Sequence, residues 1–380
     1  MTTAARTRVA IVGAGDVCAE YLRSLAGFPE LTVTAVADLD PARARARAEE
    51  FGVPVWGGPT EVLHRADVDL VVNLTTPAAH AQVAIAAIAA GKHVWTEKPL
   101  ALDRDSARVV LRAAAEAGVL VGNAPDTILG PAVQTAHRLL ADGAIGSPRT
   151  VLTLMQGPGP DVWHPRPQFL FAKGAGPLFD IGPYYVSTLV QLLGPIASVT
   201  ADGDSPRRER IVGAGPDAGS TFPVEISTHV SVLTTFASGV LGTSIYSFDS
   251  PVRRQLFEIT GLDGTMEVPV SGFDGPTRLL TGVARDTPWQ TVPAVGVPSG
   301  RGVGVLELAR AIRSGSAPRA SGELAYHVLD VLLAIEESIA IGGAVKIQST
   351  APAVPPVPEH WDPTTWMSRE TRPSEETEQK

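Results

Sequence analysis

The chain has 380 residues, 44% of them apolar and 19% charged, the composition of an ordinary globular protein with room for two domains. Its net charge of −9 speaks against nucleic acid and an anionic membrane as partners, since both select basic surfaces. One cysteine, Cys18, excludes an intramolecular disulfide framework and a cysteine-based metal cluster; MTTAARTR at the start carries no apolar signal core, so a cytoplasmic protein is the expectation.

The first third alternates short apolar runs with helical patterns, which predicts an α/β unit around a parallel sheet. RVAIVG (Arg8–Gly13) reads as a buried strand, and a helix begins near Val17. LTVTAVAD (Leu31–Asp38) is a second strand, after which Asp40 and Pro41 form an N-cap and first-turn pair. LVVNL (Leu70–Leu74) is a third strand, followed by an Ala- and Ile-rich helix from Ala78 to Ala90 that Gly91 closes. HVWT (His93–Thr96) is the next strand, Asp103 caps a helix ending at Gly118, and VLVG (Val119–Gly122) completes a unit spanning 1–124.

Beyond it the pattern changes. A helix is predicted from Pro131 to Asp142, a strand from Thr150 to Gln156, and a Gly/Pro-rich loop (Gly157–Gly176) before a helix ending near Leu193. Alternating runs between Glu225 and Val270 predict antiparallel strands, and two helices follow near Val305–Ser314 and Glu323–Ile341. Together these form a second domain over 125–350. Residues 351–380, Pro-rich and then charged, read as an extended or disordered tail.

GAGDVC (Gly13–Cys18) matches G-x-G-x-x-G except that Cys18 replaces the third glycine. It follows a strand, opens a helix at Asp16 and Val17, and precedes Asp38 by the spacing of a dinucleotide fingerprint. The glycines Gly13 and Gly15 let the backbone approach a pyrophosphate at the helix N-terminus. Asp38 suits the two hydroxyls of an adenosine ribose and repels a 2′-phosphate. Leu39 offers such a phosphate no charge, and Arg43 lies towards the adenine side, so NAD is expected in preference to NADP. Two further strand ends, Thr75-Thr76-Pro77 with the nearby His80, and Glu97-Lys98-Pro99, fall on the same carboxyl edge of the sheet, where ligands of open α/β sheets sit. Pro99 holds Lys98 extended.

In GAGPLFDIGPYYVSTLVQLLG (Gly174–Gly194), Ile181, Tyr185, Leu189 and Leu192 form an apolar helical stripe. Asp180, Tyr184, Ser187, Thr188 and Gln191 form a polar one, so the two adjacent tyrosines are not equivalent. Asp180 and Tyr184 meet at i,i+4 if this turn is helical. WHPRP (Trp163–Pro167) presents Trp163 and His164 as further substrate-contact candidates. The eight histidines show no HExxH-like spacing, so no metal is predicted.

These residues resemble the glucose-fructose oxidoreductase / inositol dehydrogenase / rhizopine catabolism (Gfo/Idh/MocA) family from about Arg8 to Ser349. AGKHVWTEKPLALD (Ala90–Asp103) is similar to its Glu-Lys-Pro signature, and GAGPLFDIGPYY to its second signature, with Tyr184 where histidine is commoner. The resemblance implies a Rossmann NAD-binding domain followed by an α+β domain with an open, mostly antiparallel sheet. It also implies a homodimer or homotetramer, and hydride transfer between NAD and a CH–OH or C=O carbon of a sugar, glycoside or cyclitol. It makes Tyr184 the acid–base residue, Lys98 its electrostatic partner and Asp180 a substrate hydrogen-bonding group, and it brings Asp126 and Thr127 near substrate. A tyrosine serves as a base at neutral pH only if its pKa falls by about three units, roughly 4 kcal/mol. One ammonium at about 4 Å supplies a similar amount at an effective dielectric of 20. Whether Lys98 serves Tyr184 or the substrate oxygen stays open at this point. So do two alternatives: an NAD-retaining enzyme that uses transient oxidation for glycoside cleavage or epimerisation, and a non-catalytic NAD-binding regulator.

Overall fold

The computed structural model describes residues 5–366, apart from 271, 283 and 285. The first unit runs β1 (Thr7–Val12), α1 (Asp16–Ala26), β2 (Leu31–Ala37), α2 (Pro41–Phe51), β3 (Val55–Gly57), α3 (Pro59–Leu63) and β4 (Leu70–Asn73). It continues with α4 (His80–Ala89), β5 (His93–Thr96), α5 (Arg104–Ala117) and β6 (Val121–Asn123). Its strands are all parallel, in the order β3-β2-β1-β4-β5-β6. Val9 to Val12 and Leu70 to Asn73 have no exposed surface, because helices cover both faces of the sheet. Strand order reverses between β1 and β4, so the ligand crevice lies outside the carboxyl ends of those strands. The predicted caps are real: Asp40 accepts from the N–H groups of Ala42 and Arg43, and Asp103 from that of Ser106.

The second unit runs α6 (Pro131–Ala141), β7 (Pro148–Gln156), α7 (Gly176–Asp180), α8 (Gly182–Leu193), β8 (Ile196–Asp204), β9 (Glu209–Ile211), β10 (Thr221–Pro223), β11 (His229–Phe236) and β12 (Leu241–Ser247). Then come β13 (Arg254–Gly261), β14 (Gly264–Glu267), β15 (Thr277–Thr281), β16 (Gln290–Val292), α9 (Val303–Ser314), α10 (Gly322–Ile341) and β17 (Val345–Lys346). Nine strands pair in the order β16-β15-β14-β13-β7-β12-β11-β8-β17, antiparallel except where β12 meets β7. One face buries Tyr185 of α8, edge-on to Tyr246 and stacked on Phe257. The other face leaves Leu152, Leu233 and Leu241 exposed. Among the described residues no helix is long and apolar enough to cross a membrane.

Three features depart from the pattern read in the sequence. The helix expected to end near Leu193 is broken at Ile181 into α7 and α8, because Pro183 lacks the N–H that a continuous helix needs there. The small ribbon of β9 and β10 was not anticipated, since three-residue strands carry no readable period. Finally, the described part of the expected loose tail, to Trp366, is fastened. Gln134 Oε1 accepts from the N–H of Val357, and Arg310 donates to the carbonyls of Asp362 and Thr365. Residues 367–380 lie outside the described residues.

α9 follows the second sheet in sequence but packs on the first. Trp95 of β5 is fully buried between Gly122 and Gly304; a Cβ at Gly304 would stand 2.0 Å from its ring. Asn123 donates its N–H to the carbonyl of Ala320, and Arg104 of α5 is ion-paired with Asp330 of α10 at 2.5 Å. These ties join the two units beside the crevice.

Candidate active site

The crevice begins at Gly13, whose φ of +107° suits glycine and whose added Cβ would meet the main chain of Leu74 at 2.6 Å. The next glycine serves differently. A Cβ at Gly15 would meet nothing within 4 Å, which leaves the N-terminus of α1 clear for a phosphate. Cys18, in place of the third glycine, is fully buried in α1. Asp16 is exposed and Val17 half-buried at the start of that helix.

Asp38 stands at the end of β2. Its Oδ2 accepts from the N–H of Ala14 at 2.8 Å and its Oδ1 from that of Asp40 at 2.9 Å. Each oxygen retains a lone pair for a ribose hydroxyl. Leu39 beside it is 90% exposed, and Arg43 is exposed in the first turn of α2. Thr76 and Pro77 are exposed at the end of β4, whereas the Thr75 hydroxyl donates back to Asn73 at 2.7 Å. The glycine turn, the open helix end and the Asp38 carboxylate at the end of β2 together fit a dinucleotide.

His80, expected at the cofactor, faces inward instead. It is buried, with Nδ1 2.6 Å from the carbonyl of Pro99 and Nε2 3.0 Å from that of Thr75. It therefore braces the two strand ends against each other. Burial, more than its two carbonyl neighbours, sets the direction of its pKa, which is lowered.

At the end of β5 the peptide Lys98–Pro99 is cis. The Lys98 ammonium donates to the carbonyl of Asp180 at 2.6 Å and to its Oδ1 at 2.9 Å, and stands 5.4 Å from the ring centre of Tyr184. The three residues that the sequence placed on different units thus meet. Burial works against the Lys98 charge, but Asp180, Tyr184 and Glu97 outweigh it and raise its pKa. Burial also raises the Tyr184 phenol, with Glu97 and Asp180 adding to the effect and Lys98 and Arg301 opposing it. The lowering that a phenolate base at neutral pH requires is absent: desolvation exceeds the pull of the ammonium.

Glu97 is held from several sides. Tyr21 donates its hydroxyl to Oε1 at 3.0 Å, Arg301 reaches the same oxygen at 3.3 Å, and the Lys98 N–H donates to Oε2 at 3.1 Å. Trp95 Nε1 donates in turn to the Tyr21 oxygen at 3.1 Å. Asn123 donates to the carbonyls of Thr96 and Glu97 and shapes the same turn. Tyr21, Asn123 and Arg301 escaped the sequence reading, having no local motif to mark them.

Asp126, expected near substrate, is corrected by the structure. Its buried carboxylate accepts from the N–H groups of Gly302 at 2.7 Å and Gly304 at 3.2 Å, so it caps α9. Burial pushes its pKa up to about 6 despite those two bonds. Thr127 beside it is also buried. Trp163 is 57% exposed and meets His164 edge-on, and His164 meets Phe169 likewise. His164 Nδ1 accepts from the Arg166 N–H, and no hydrogen bond or ring contact among the described residues links this aromatic group to Lys98, Asp180 or Tyr184.

Comparison with known proteins adds an independent line. Residues 7–124 match the model of an oxidoreductase family with an NAD-binding Rossmann fold, GFO/IDH/MocA, and residues 133–267 match the C-terminal domain of that family. The chain is similar to D-apiose dehydrogenase of Paraburkholderia graminis, 26% identical over 94% of each chain. It is 31% identical to dTDP-3,4-didehydro-2,6-dideoxy-alpha-D-glucose 3-reductase of Streptomyces antibioticus, over 69% of this chain and 75% of the relative. Among solved structures, an NAD-binding oxidoreductase from Klebsiella pneumoniae superposes with a TM-score of 0.80 at 26% identity, covering 90% of this chain and 99% of the other.

Proposed function

The chain belongs to the Gfo/Idh/MocA oxidoreductase family, and from that premise we propose that it is an NAD-dependent sugar dehydrogenase whose chemistry centres on Lys98, Asp180 and Tyr184. The two relatives named above are a sugar dehydrogenase and a reductase of a nucleotide-linked sugar, which supports a carbohydrate-like substrate carrying a CH–OH or C=O group. The single observation that carries the proposal is the Lys98–Asp180 pair at 2.9 Å, closed over by Tyr184 on the carboxyl edge of the dinucleotide-binding sheet.

NAD, when bound, supplies the acceptor for the hydride. Gly13, Gly15 and the first turn of α1 hold its pyrophosphate, and Asp38 holds the adenosine ribose. The carboxylate of Asp38 and the exposed, uncharged Leu39 favour NAD over NADP. An ammonium has three hydrogens. Two of those on Lys98 reach Asp180, and the third serves the reacting oxygen of the substrate. Of the two roles open to Lys98, service to the substrate oxygen is therefore the better supported. A fixed cation there stabilises the alkoxide that develops as hydride leaves. Tyr184, protonated at neutral pH, gives its proton to that oxygen in reduction; in oxidation its phenolate takes the hydroxyl proton. Asp180 holds Lys98 charged and aimed. The exposed Trp163 and the half-buried His164 beside it are the aromatic candidates for a contact with the far side of a sugar.

The test is a panel of pentoses, hexoses, cyclitols, glycosides and sugar nucleotides with NAD and with NADP, followed by reduced-nicotinamide absorbance. Turnover with NAD on one sugar class is the expected result. Turnover with NADP alone would overturn the Asp38 argument, and NADH binding without turnover of any member would overturn the dehydrogenase reading.

A further inference from the structure

Nothing in PSGRGVG (Pro298–Gly304) marks Arg301, yet the fold brings it to the crevice from 204 positions beyond Glu97. Asp126 fixes the main chain beside it by holding the N–H groups of Gly302 and Gly304. From that anchor Arg301 Nε reaches Glu20 Oε2 of α1 at 2.9 Å, and Nη1 reaches Glu97 Oε1 at 3.3 Å. One guanidinium thus spans the nucleotide-binding helix and the strand end that carries Lys98. The Glu97 carboxylate it holds also takes the Lys98 main-chain N–H. A pair with a third of the arginine exposed adds little to stability, so stability alone does not account for the arrangement.

We propose that Arg301 is a positioning residue for the reaction: it fixes the Glu97 carboxylate under the Lys98 main chain and so holds the strand end that carries the Lys98 ammonium. The inference rests on the dehydrogenase reading above. The charged groups acting on Tyr184 are Lys98 and Glu97 from the end of β5, Asp180 from α7, and Arg301 from the start of α9. Removing Arg301 deletes one of two cations and leaves the Glu97 anion with the Tyr21 hydroxyl and the Lys98 N–H but without its guanidinium. Both changes favour the protonated phenol. Lysine in its place restores a charge but cannot fork between two carboxylates.

The test compares the wild-type holoenzyme with Arg301→Met and Arg301→Lys, using Tyr184→Phe to identify the Tyr184 signal. One readout is the ultraviolet titration of tyrosinate, which needs no turnover. The second is the pH profile of kcat on the substrate found in the panel, and NADH fluorescence follows cofactor affinity. For Arg301→Met, the Tyr184 midpoint and the kcat profile move to higher pH, and kcat at neutral pH falls by about tenfold to a hundredfold. Arg301→Lys returns the midpoint towards wild type while part of the kcat loss persists. A Tyr184 titration that Arg301→Met leaves unmoved overturns the proposal. Failure of the wild type to turn over any substrate strikes the dehydrogenase reading instead, and the titration still decides on Arg301.

Discussion

Lys98 and Tyr184 show how neighbours decide the chemistry of a side chain. The lysine keeps its charge against burial because Asp180 lies 2.9 Å away, and the tyrosine keeps its proton because burial exceeds the pull of that same lysine. Under the proposed roles, Lys98→Met lowers kcat by about a hundredfold to a thousandfold while NADH fluorescence still reports binding. Tyr184→Phe lowers it by at least about a hundredfold. The sign of the pH dependence follows from the raised phenol. Oxidation needs phenolate and speeds up as pH rises through neutral into the alkaline range, reduction needs the phenol and holds level through neutral, slowing only as pH passes the raised phenol, and Tyr184→Phe removes both dependences. Near-normal turnover in both variants would sink these assignments. Lys98, Asp180 and Tyr184 were legible because each lies in a short signature. Asp126 and His80 were misread because sequence position does not say whether a polar group faces the crevice or the backbone behind it.

At the scale of elements, α9 carries more than its own turns. Its N-terminus is capped by Asp126 from the far side of the chain, and its Gly304 makes room for Trp95. Asp126→Ala leaves two buried N–H groups without their acceptor and costs about 1–3 kcal/mol, measured by chemical denaturation. Asp126→Asn keeps an acceptor and loses less. Because the folded pKa of Asp126 is raised to about 6 from 3.8, the folded protein retains a proton that the unfolded chain has released. That contribution is complete below about pH 4 and fades as pH climbs to about 6. Burial of His137 and His327 lowers both to about 4 and works in the opposite sense over an overlapping range, so the signature is the wild-type minus Asp126→Asn difference. A difference that is flat between pH 4 and 6 would show that Asp126 is ionised throughout. Strong local signals such as Asp40, Asp103 and Gly118 placed helix ends well. The break at Ile181 and the ribbon of β9 and β10 depend on tertiary neighbours or on strands too short to show alternation.

At the scale of the molecule, one face of the nine-stranded sheet carries exposed apolar side chains in register. Leu152 opposes Thr243, which opposes Leu233 on the next strand, and Leu241 lies in the adjoining row. An apolar sheet face of this kind suits a second copy of the chain. We therefore expect a homodimer through this face, and Leu152→Glu combined with Leu233→Glu should halve the mass seen by light scattering. An unchanged mass would move the interface elsewhere. The stretch from Ala351 to Trp366 is strapped to α6 and α9, with Arg310 against Trp361, Arg313 against Trp366 and Gln134 bonded to Val357. By itself the sequence determined the dinucleotide fold, the cofactor edge and the signatures around Lys98 and Asp180, because strand periodicity, glycine turns and caps act within a few residues. Only the tertiary structure decided that Asp126 caps a helix, that His80 braces two strand ends, and that Arg301 joins Glu97. Those contacts depend on where distant segments pack, and burial, which sets the charge state of each group, exists only once they have.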